Sequence, residues 1–257
     1  LRGKHWGIRP LRRELPGLLG LTDESVARSA IPPREGNWAK AELPVPTEDF
    51  PPEELPYATL LDSYGGSGNV TADLDAIVAE YRIPEPYTDD DEAKADGLKP
   101  VSVKRLDCTS DTVVTIDPVD ARDYDDALSI SKSPAKGQVV VGVHIADVAS
   151  YIRPNSEFDL KARERCFTSY LPGRTLPMLP KALANRQCSL QAGVPRLAHS
   201  VFICFDEHTG EILSWKRRHT VINVRQRLCY EQVQEFLEGG AFDAQPGVAE
   251  LVKKLAD

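Results

Sequence analysis

The sequence predicts an α+β protein, a mixed sheet packed by helices. Three observations carry that prediction. Short apolar runs of strand character recur at 113–116, 127–130, 138–146, 199–205 and 212–224. Segments of helical character lie between and after them, at 72–81, 159–166, 230–237 and 248–255. Turn-forming sequences punctuate the chain at Gly65-Gly66-Ser67-Gly68, Ser131 to Gly137 and Asp206 to Gly210.

Taken in order, residues 1–35 are rich in Arg, Pro and Gly and lack sustained periodicity. Trp6 among basic residues is either local packing or a base-stacking platform. Residues 37–45 alternate like a half-buried strand, 46–56 read as a proline-rich acidic loop, and Tyr57 to Tyr64 is a short apolar segment. The glycines at 65–68 lack the Lys-Ser/Thr of a phosphate-binding P-loop, so they are read as a turn. Asn69 or Thr71 caps the next helix, and Pro84 and Pro86 end it. Thr88 to Asp96, with Asp89-Asp90-Asp91-Glu92, reads as a solvated helix start or linker.

Gln138 to Ala146 is apolar enough to be a strand buried on both faces, with His144 expected to be a satisfied core residue. Ser156 should cap the helix at 159–166. Phe167 to Pro180 is irregular, proline-rich and poor in charge, which suits the wall of a channel. Lys216-Arg217-Arg218 is read as a solvated strand end, with phosphate contact as the alternative.

Composition narrows the classes. The 257 residues suffice for one large domain, or a domain plus part of another. No apolar run approaches a membrane span. The five cysteines are odd in number and free of Cys-x-x-Cys, as expected for small buried hydrophobes in a reducing cytoplasm. The net charge of −8 weighs against wholesale nucleic-acid coating, though a phosphate channel needs only a basic lining. With Leu1 first and Met178 its only methionine, the sequence reads as part of a longer product.

The functional centre of the sequence is Thr115 to Ile130. Asp117, Asp120, Asp123, Asp125 and Asp126 fall within ten residues, between two strand-like flanks. Two carboxylates about 4 Å apart at an effective dielectric near 20 repel by roughly 4 kcal/mol. Relief comes from splaying into water, from protonation, or from a cation between them. Flanking strands restrict splaying, which favours the cation. All-oxygen ligation suits Mg²⁺, Mn²⁺ or Ca²⁺, and the spacing departs from an EF-hand loop. Asp147 is a candidate for supporting this cluster from the end of the long strand.

These residues resemble the RNase II/RNase R exoribonucleases, the RNB-domain family, in which Ile-Asp is followed by Asp-x-Asp-Asp-Ala. Val-Gly-Val-His-Ile-Ala-Asp-Val at 141–148, Phe-Thr-Ser-Tyr-Leu-Pro-Gly at 167–173, Leu-Pro-Met-Leu-Pro at 176–180 and Gln-Cys-Ser-Leu at 187–190 resemble later landmarks in the family's order. The resemblance implies a partial cold-shock/OB-like barrel over 1–68, a linker and helix over 69–106, and the first part of the RNB catalytic domain over 107–257.

The resemblance also implies 3′-to-5′ processive hydrolysis of single-stranded RNA to nucleoside 5′-monophosphates, by a monomer using two Mg²⁺ ions, or Mn²⁺. Asp117 and Asp126 would hold the first ion, Asp125 the second, and Asp123 would position the ions or their waters; Asp120 matches no family acid. Tyr170 would stack on the RNA, its alternative being a packed tyrosine. The subtype stays open, because Leu-Pro-Gly after Tyr170 resembles RNase II. The family's arginine at the scissile phosphate belongs to the second half of the catalytic domain, and a fragment lacking it is expected to lose at least ~10²-fold in rate. Two competing readings are a catalytically silent RNA-binding module of the same fold and a structural metal domain that binds no RNA.

Overall fold

The fold is that of a computed structural model, which describes residues 5–11, 18–43, 57–133 and 135–256. The expected loop at 46–56, and residues 1–4 and 12–17 of the N-terminal stretch, lie outside these residues. The chain divides into two compact units, Leu1–Glu85 with Ser169–Leu176, and Pro86–Thr168 with Pro177–Asp257.

In the first unit, strands β1 (Gly7–Ile8) and β2 (Leu19–Leu21), helix α1 (Asp23–Arg28), strands β3 (Asn37–Glu42) and β4 (Tyr57–Gly66) and helix α2 (Val70–Glu80) follow one another. The described strands form an open sheet in the order β1-β2-β4-β3. Leu21, Ala58 and Leu60 form its core, and Trp6 packs against them, so the local-packing reading of Trp6 applies. The turn after β4 places Gly68 at φ +89, a conformation that disfavours any side chain. Asn69 then caps α2 by accepting from Ala72 N at 3.2 Å.

The second unit opens with α3 (Asp89–Asp96), capped by a reciprocal Thr88–Asp91 box. The acidic run is a helix start, as expected, and Asp89 and Asp90 are exposed, but the run is not solvated throughout. Asp91 is buried against Lys161 Nζ at 2.5 Å, and that ion pair holds its carboxyl down at about 2. Glu92 accepts from Lys181 N and Ala182 N, capping the short helix Ala182–Gln187. The partners lie far along the chain, beyond the reach of a local sequence pattern.

Strands β5 (Leu106–Asp117), β6 (Asp126–Lys132) and β7 (Gln138–Ala146) follow, then α4 (Glu157–Arg165), capped by Ser156 as expected. The hairpin of β8 (Ser169–Leu171) and β9 (Arg174–Leu176) groups with the first unit, where Arg174 pairs with Asp75 at 2.6 Å. Strands β10 (Pro195–Asp206) and β11 (Ile212–Cys229) and helices α5 (Tyr230–Leu237) and α6 (Val248–Ala256) complete the chain.

β10, β11, β5, β6 and β7 close into a barrel, antiparallel throughout except for the parallel β11–β5 pair. Closure removes sheet edges and makes side chains alternate between interior and exterior. Val113, Ala127, Ala198, Ile222 and Val224 belong to the core cluster on the barrel strands. On another face, α5 and α6 pack Val233, Phe236, Leu251 and Val252 against Val114, Ile130 and Leu228. β7 is therefore buried on one face only: Gly142, His144 and Ala146 are buried, whereas Ile145 is exposed.

A polar file runs through the barrel. His144 lies 2.9 Å from Ser129 Oγ and 2.7 Å from Ser200 Oγ, and Ser200 lies 2.6 Å from Thr220 Oγ1. His144 is thus a satisfied core residue, and burial pushes its pKa down to about 4. A Cβ on Gly142 would come within 2.4 Å of Ser129 Oγ and 2.8 Å of His144 Nε2. Gly142→Ala is therefore expected to destabilise the protein by about 1–3 kcal/mol through overpacking. A fall in the urea midpoint checks this, and an unchanged midpoint would show slack in the barrel that the distances exclude.

Candidate active site

One rim of the barrel carries the acidic stretch. Asp117 is the last residue of β5 and Asp126 the first of β6, with 118–125 joining them irregularly, as the sequence predicts. Asp117 pairs with Cys229 at the end of β11, and Asp126 with Ile145 near the end of β7. Strand register thus fixes the first and last acids, and the loop carries Asp123 and Asp125 between them.

The loop is itself held. The Ser189 hydroxyl, fully buried, accepts from Tyr124 N at 3.1 Å and donates to Arg122 O at 3.2 Å. Leu190 N donates to Tyr124 O at 2.9 Å, and Ala146 N to Asp125 O at 2.8 Å. Arg227 Nη2 donates to Pro118 O at 2.8 Å and Val119 O at 2.6 Å, and its guanidinium stands 5.2 Å from the Tyr124 ring centroid. Tyr124 Oη donates to Ala121 O at 3.0 Å.

The electrostatics follow from this confinement. Burial pushes the Asp117 carboxyl above its ordinary value; Asp126 and Asp123 add to the rise, and Thr115 and Arg227 oppose it. Asp125 keeps one side open to water, yet the surrounding protein desolvates the other. Its carboxyl is raised by that desolvation and then by Asp123, Asp126 and Asp117. Asp120 is exposed in the turn and is not among these charges.

Raised acids count against folding at neutral pH. The destabilisation is absent below the unfolded carboxylate value and grows as pH rises through the raised folded values.

Asp117 Oδ2 and the nearby Thr115 hydroxyl are buried and outside regular hydrogen-bond geometry, although the hydroxyl stands near enough to lower the Asp117 carboxyl. A buried carboxylate oxygen so weakly supported, beside other acids, matches the chemistry of a divalent-cation ligand. The donors are all oxygen, which fits Mg²⁺ or Mn²⁺. Among the described residues no three His, Cys, Asp or Glu side chains converge on one point as placed, so seating an ion requires rotation of the carboxylates.

Asp147 does not join the acids. It is buried at 4% exposure in an ion pair with Arg105 Nη1 at 2.8 Å, and it accepts from Ser150 Oγ at 2.7 Å, with His219 Nδ1 at 3.2 Å. Burial works to raise its carboxyl, but the hydrogen bonds from Ser150, Arg105 and His219 prevail and hold it low. Its role is to tie the segment after β7 to the barrel. Tyr170 lies on β8, 72% exposed, in the hairpin that belongs to the first unit.

Cys108 and Cys188 are buried, and burial pushes their thiols up to about 11 and 12, as unreactive core residues. Cys166 is exposed, contrary to the expectation for all five. Ser189 and Arg227, which hold the backbone of the acidic loop, are the residues of this region that the sequence reading missed. Ser189 lies inside the Gln-Cys-Ser-Leu landmark and Arg227 follows the strand-like run at 212–224, but neither carries a local sign of its partner.

A family model for the RNB domain matches residues 105–256. Ribonuclease R of Chlamydia trachomatis serovar D is 36% identical over 208 residues, covering 79% of this chain and 30% of the relative. Among solved structures, Mycoplasma genitalium RNase R in complex with ribose-methylated single-stranded RNA superposes with a TM-score of 0.78 at 23% identity, over 97% of this chain and 40% of that one. Yeast Ssd1, a pseudonuclease, shares the fold with a TM-score of 0.69 at 20% identity, over 94% of this chain and 31% of that one. The chain thus spans about a third of the length of these proteins.

Proposed function

This chain belongs to the RNB-domain family of RNase II and RNase R, and from that premise we propose that its acidic loop is a divalent-cation site at which RNA is hydrolysed. The substrate is single-stranded RNA, degraded processively from its 3′ end to nucleoside 5′-monophosphates by a cytoplasmic monomer. The observation that carries this reading is the rim cluster: burial and the neighbouring acids raise the carboxyls of Asp117 and Asp125, and Asp117 keeps a buried oxygen outside regular hydrogen-bond geometry.

In this reading, Asp117, Asp123, Asp125 and Asp126 hold two Mg²⁺ or Mn²⁺ ions. When bound, the ions supply the positive charge that activates water and stabilises the leaving 3′-oxygen. The chain's own residues do the positioning. Asp117 and Asp126, on rigid strand ends, would hold the first ion; Asp125, from the loop, would complete the shell of the second and carry the larger share of the rate, and Asp123 would position the ions or their waters. The ribose 2′-hydroxyl distinguishes RNA from DNA.

Tyr170 stacks against a base of the threaded strand. Its replacement by Ala is expected to weaken binding of short RNA by about 5- to 150-fold, the range of one base–aromatic stack, and to shift the final product length. Wild-type product lengths from Tyr170→Ala would remove Tyr170 from the substrate path.

The fold shared with a pseudonuclease supports one second reading, a silent RNA-binding module. The retention of all four matching acids argues for the enzyme. The test is 5′-labelled single-stranded RNA incubated with the intact protein, with Mg²⁺ and then with a chelator. A descending ladder that disappears on chelation supports the nuclease, and metal-independent binding without cleavage supports the silent module.

A further inference from the structure

We propose that Ser189 and Arg227 are positioning residues that clamp the acidic loop from two sides and thereby set its affinity for divalent cations. The inference rests on reading the loop as a cation site. Ser189 brackets Asp123: it bonds the amide of Tyr124 on one side and the carbonyl of Arg122 on the other. Neighbouring Leu190 and Ala146 bind the carbonyls of Tyr124 and Asp125. Arg227 gathers the opposite end by donating to the carbonyls of Val119 and of Pro118, the latter also accepting from Ala121 N, and it lies close to the Tyr124 ring.

Four crowded carboxylates push a free loop apart. The backbone bonds oppose that, leaving side-chain rotation as the remaining freedom. A cation then meets acids whose Cα positions are already set, instead of having to order the loop as it binds. Charge and geometry make opposite predictions for Arg227. As a nearby positive charge it raises the Asp117 carboxylate's tolerance of ionisation and repels a cation; as a clamp it favours cation binding by holding the loop.

The test is Mn²⁺ titration calorimetry on the intact protein and on Ser189→Ala, Arg227→Lys, Arg227→Met and Asp117→Asn. Ser189→Ala changes no charge, and Arg227→Lys keeps the charge while losing the planar fork. The clamp requires at least tenfold weaker Mn²⁺ binding in Ser189→Ala and in both Arg227 variants. It also requires RNA hydrolysis that recovers towards the wild-type rate at high Mn²⁺, a recovery that a merely structural lesion would not show. Wild-type affinity in Ser189→Ala, or tighter binding in Arg227→Met, overturns the clamp while Asp117→Asn still reports on the site. If the unaltered protein takes up no Mn²⁺, the cation-site reading fails and the clamp with it. Should Ser189→Ala fail to fold, the two Arg227 variants decide the matter.

Discussion

Asp125→Asn is expected to lose about 10²–10⁴-fold in RNA hydrolysis, the range associated with removing one positioned catalytic group, while binding RNA nearly as well as the unaltered protein. The substitution keeps shape and removes one charge. Desolvation and three other carboxylates oppose the charge of Asp125, and a cation would relieve that opposition. The same opposition predicts a second effect. Without divalent cation, the Asn variant should melt higher than wild type at neutral pH. That advantage should shrink as pH falls towards the ordinary carboxylate range, where the wild-type group becomes protonated. Thermal melts in chelator at several pH values check this, and hydrolysis at the wild-type rate would show that Asp125 has no part in the chemistry.

Arg105→Leu should cost about 3 kcal/mol of stability, the lower end of the range for removing one partner of a buried ion pair. Arg105 and Asp147 both lie below a tenth exposed, and the variant leaves the carboxylate buried with only Ser150 and His219 for support. His219 is half-exposed and admits some water, hence the lower end. The pH dependence should also change. In the intact pair Asp147 is held low, so its stabilisation is present above the unfolded carboxylate value and fades as pH falls through the lowered folded one. Without Arg105, burial dominates, and the contribution of Asp147 weakens as pH rises instead. Urea midpoints at pH 3, pH 5 and pH 7 check both claims, and a variant within experimental error of wild type at pH 5 and pH 7 would contradict the pairing.

What the sequence made legible follows from the range of the interactions. The strands on either side of the acidic loop, the hairpins and the caps at Asn69 and Ser156 are set by neighbours a few residues away, so periodicity and turn chemistry reveal them. Crowding alone marks five acids, and the resemblance to RNB-domain enzymes is what sets Asp120 apart from the other four. Ser189 reaches Tyr124 across 65 positions and Arg227 reaches Val119 across 108, through the register of a closed barrel that no local pattern encodes. The same limit explains Asp91 in the acidic run at 89–92. Its partner Lys161 lies 70 positions away, so a buried ion pair looked like a solvated face. β7 misled differently: its unbroken apolar run suggested two buried faces, whereas the barrel buries one and half-exposes the other.

The most direct test of the cation site is thermal unfolding with and without Mg²⁺, on the unaltered protein and on Asp117→Asn. Binding at about 100 times the dissociation constant stabilises a folded protein by about 2.7 kcal/mol. A clear Mg²⁺-dependent rise in melting temperature for the unaltered protein, lost in Asp117→Asn, is the expected result. The same rise in both proteins, or none in either, would contradict a divalent-cation site built on Asp117.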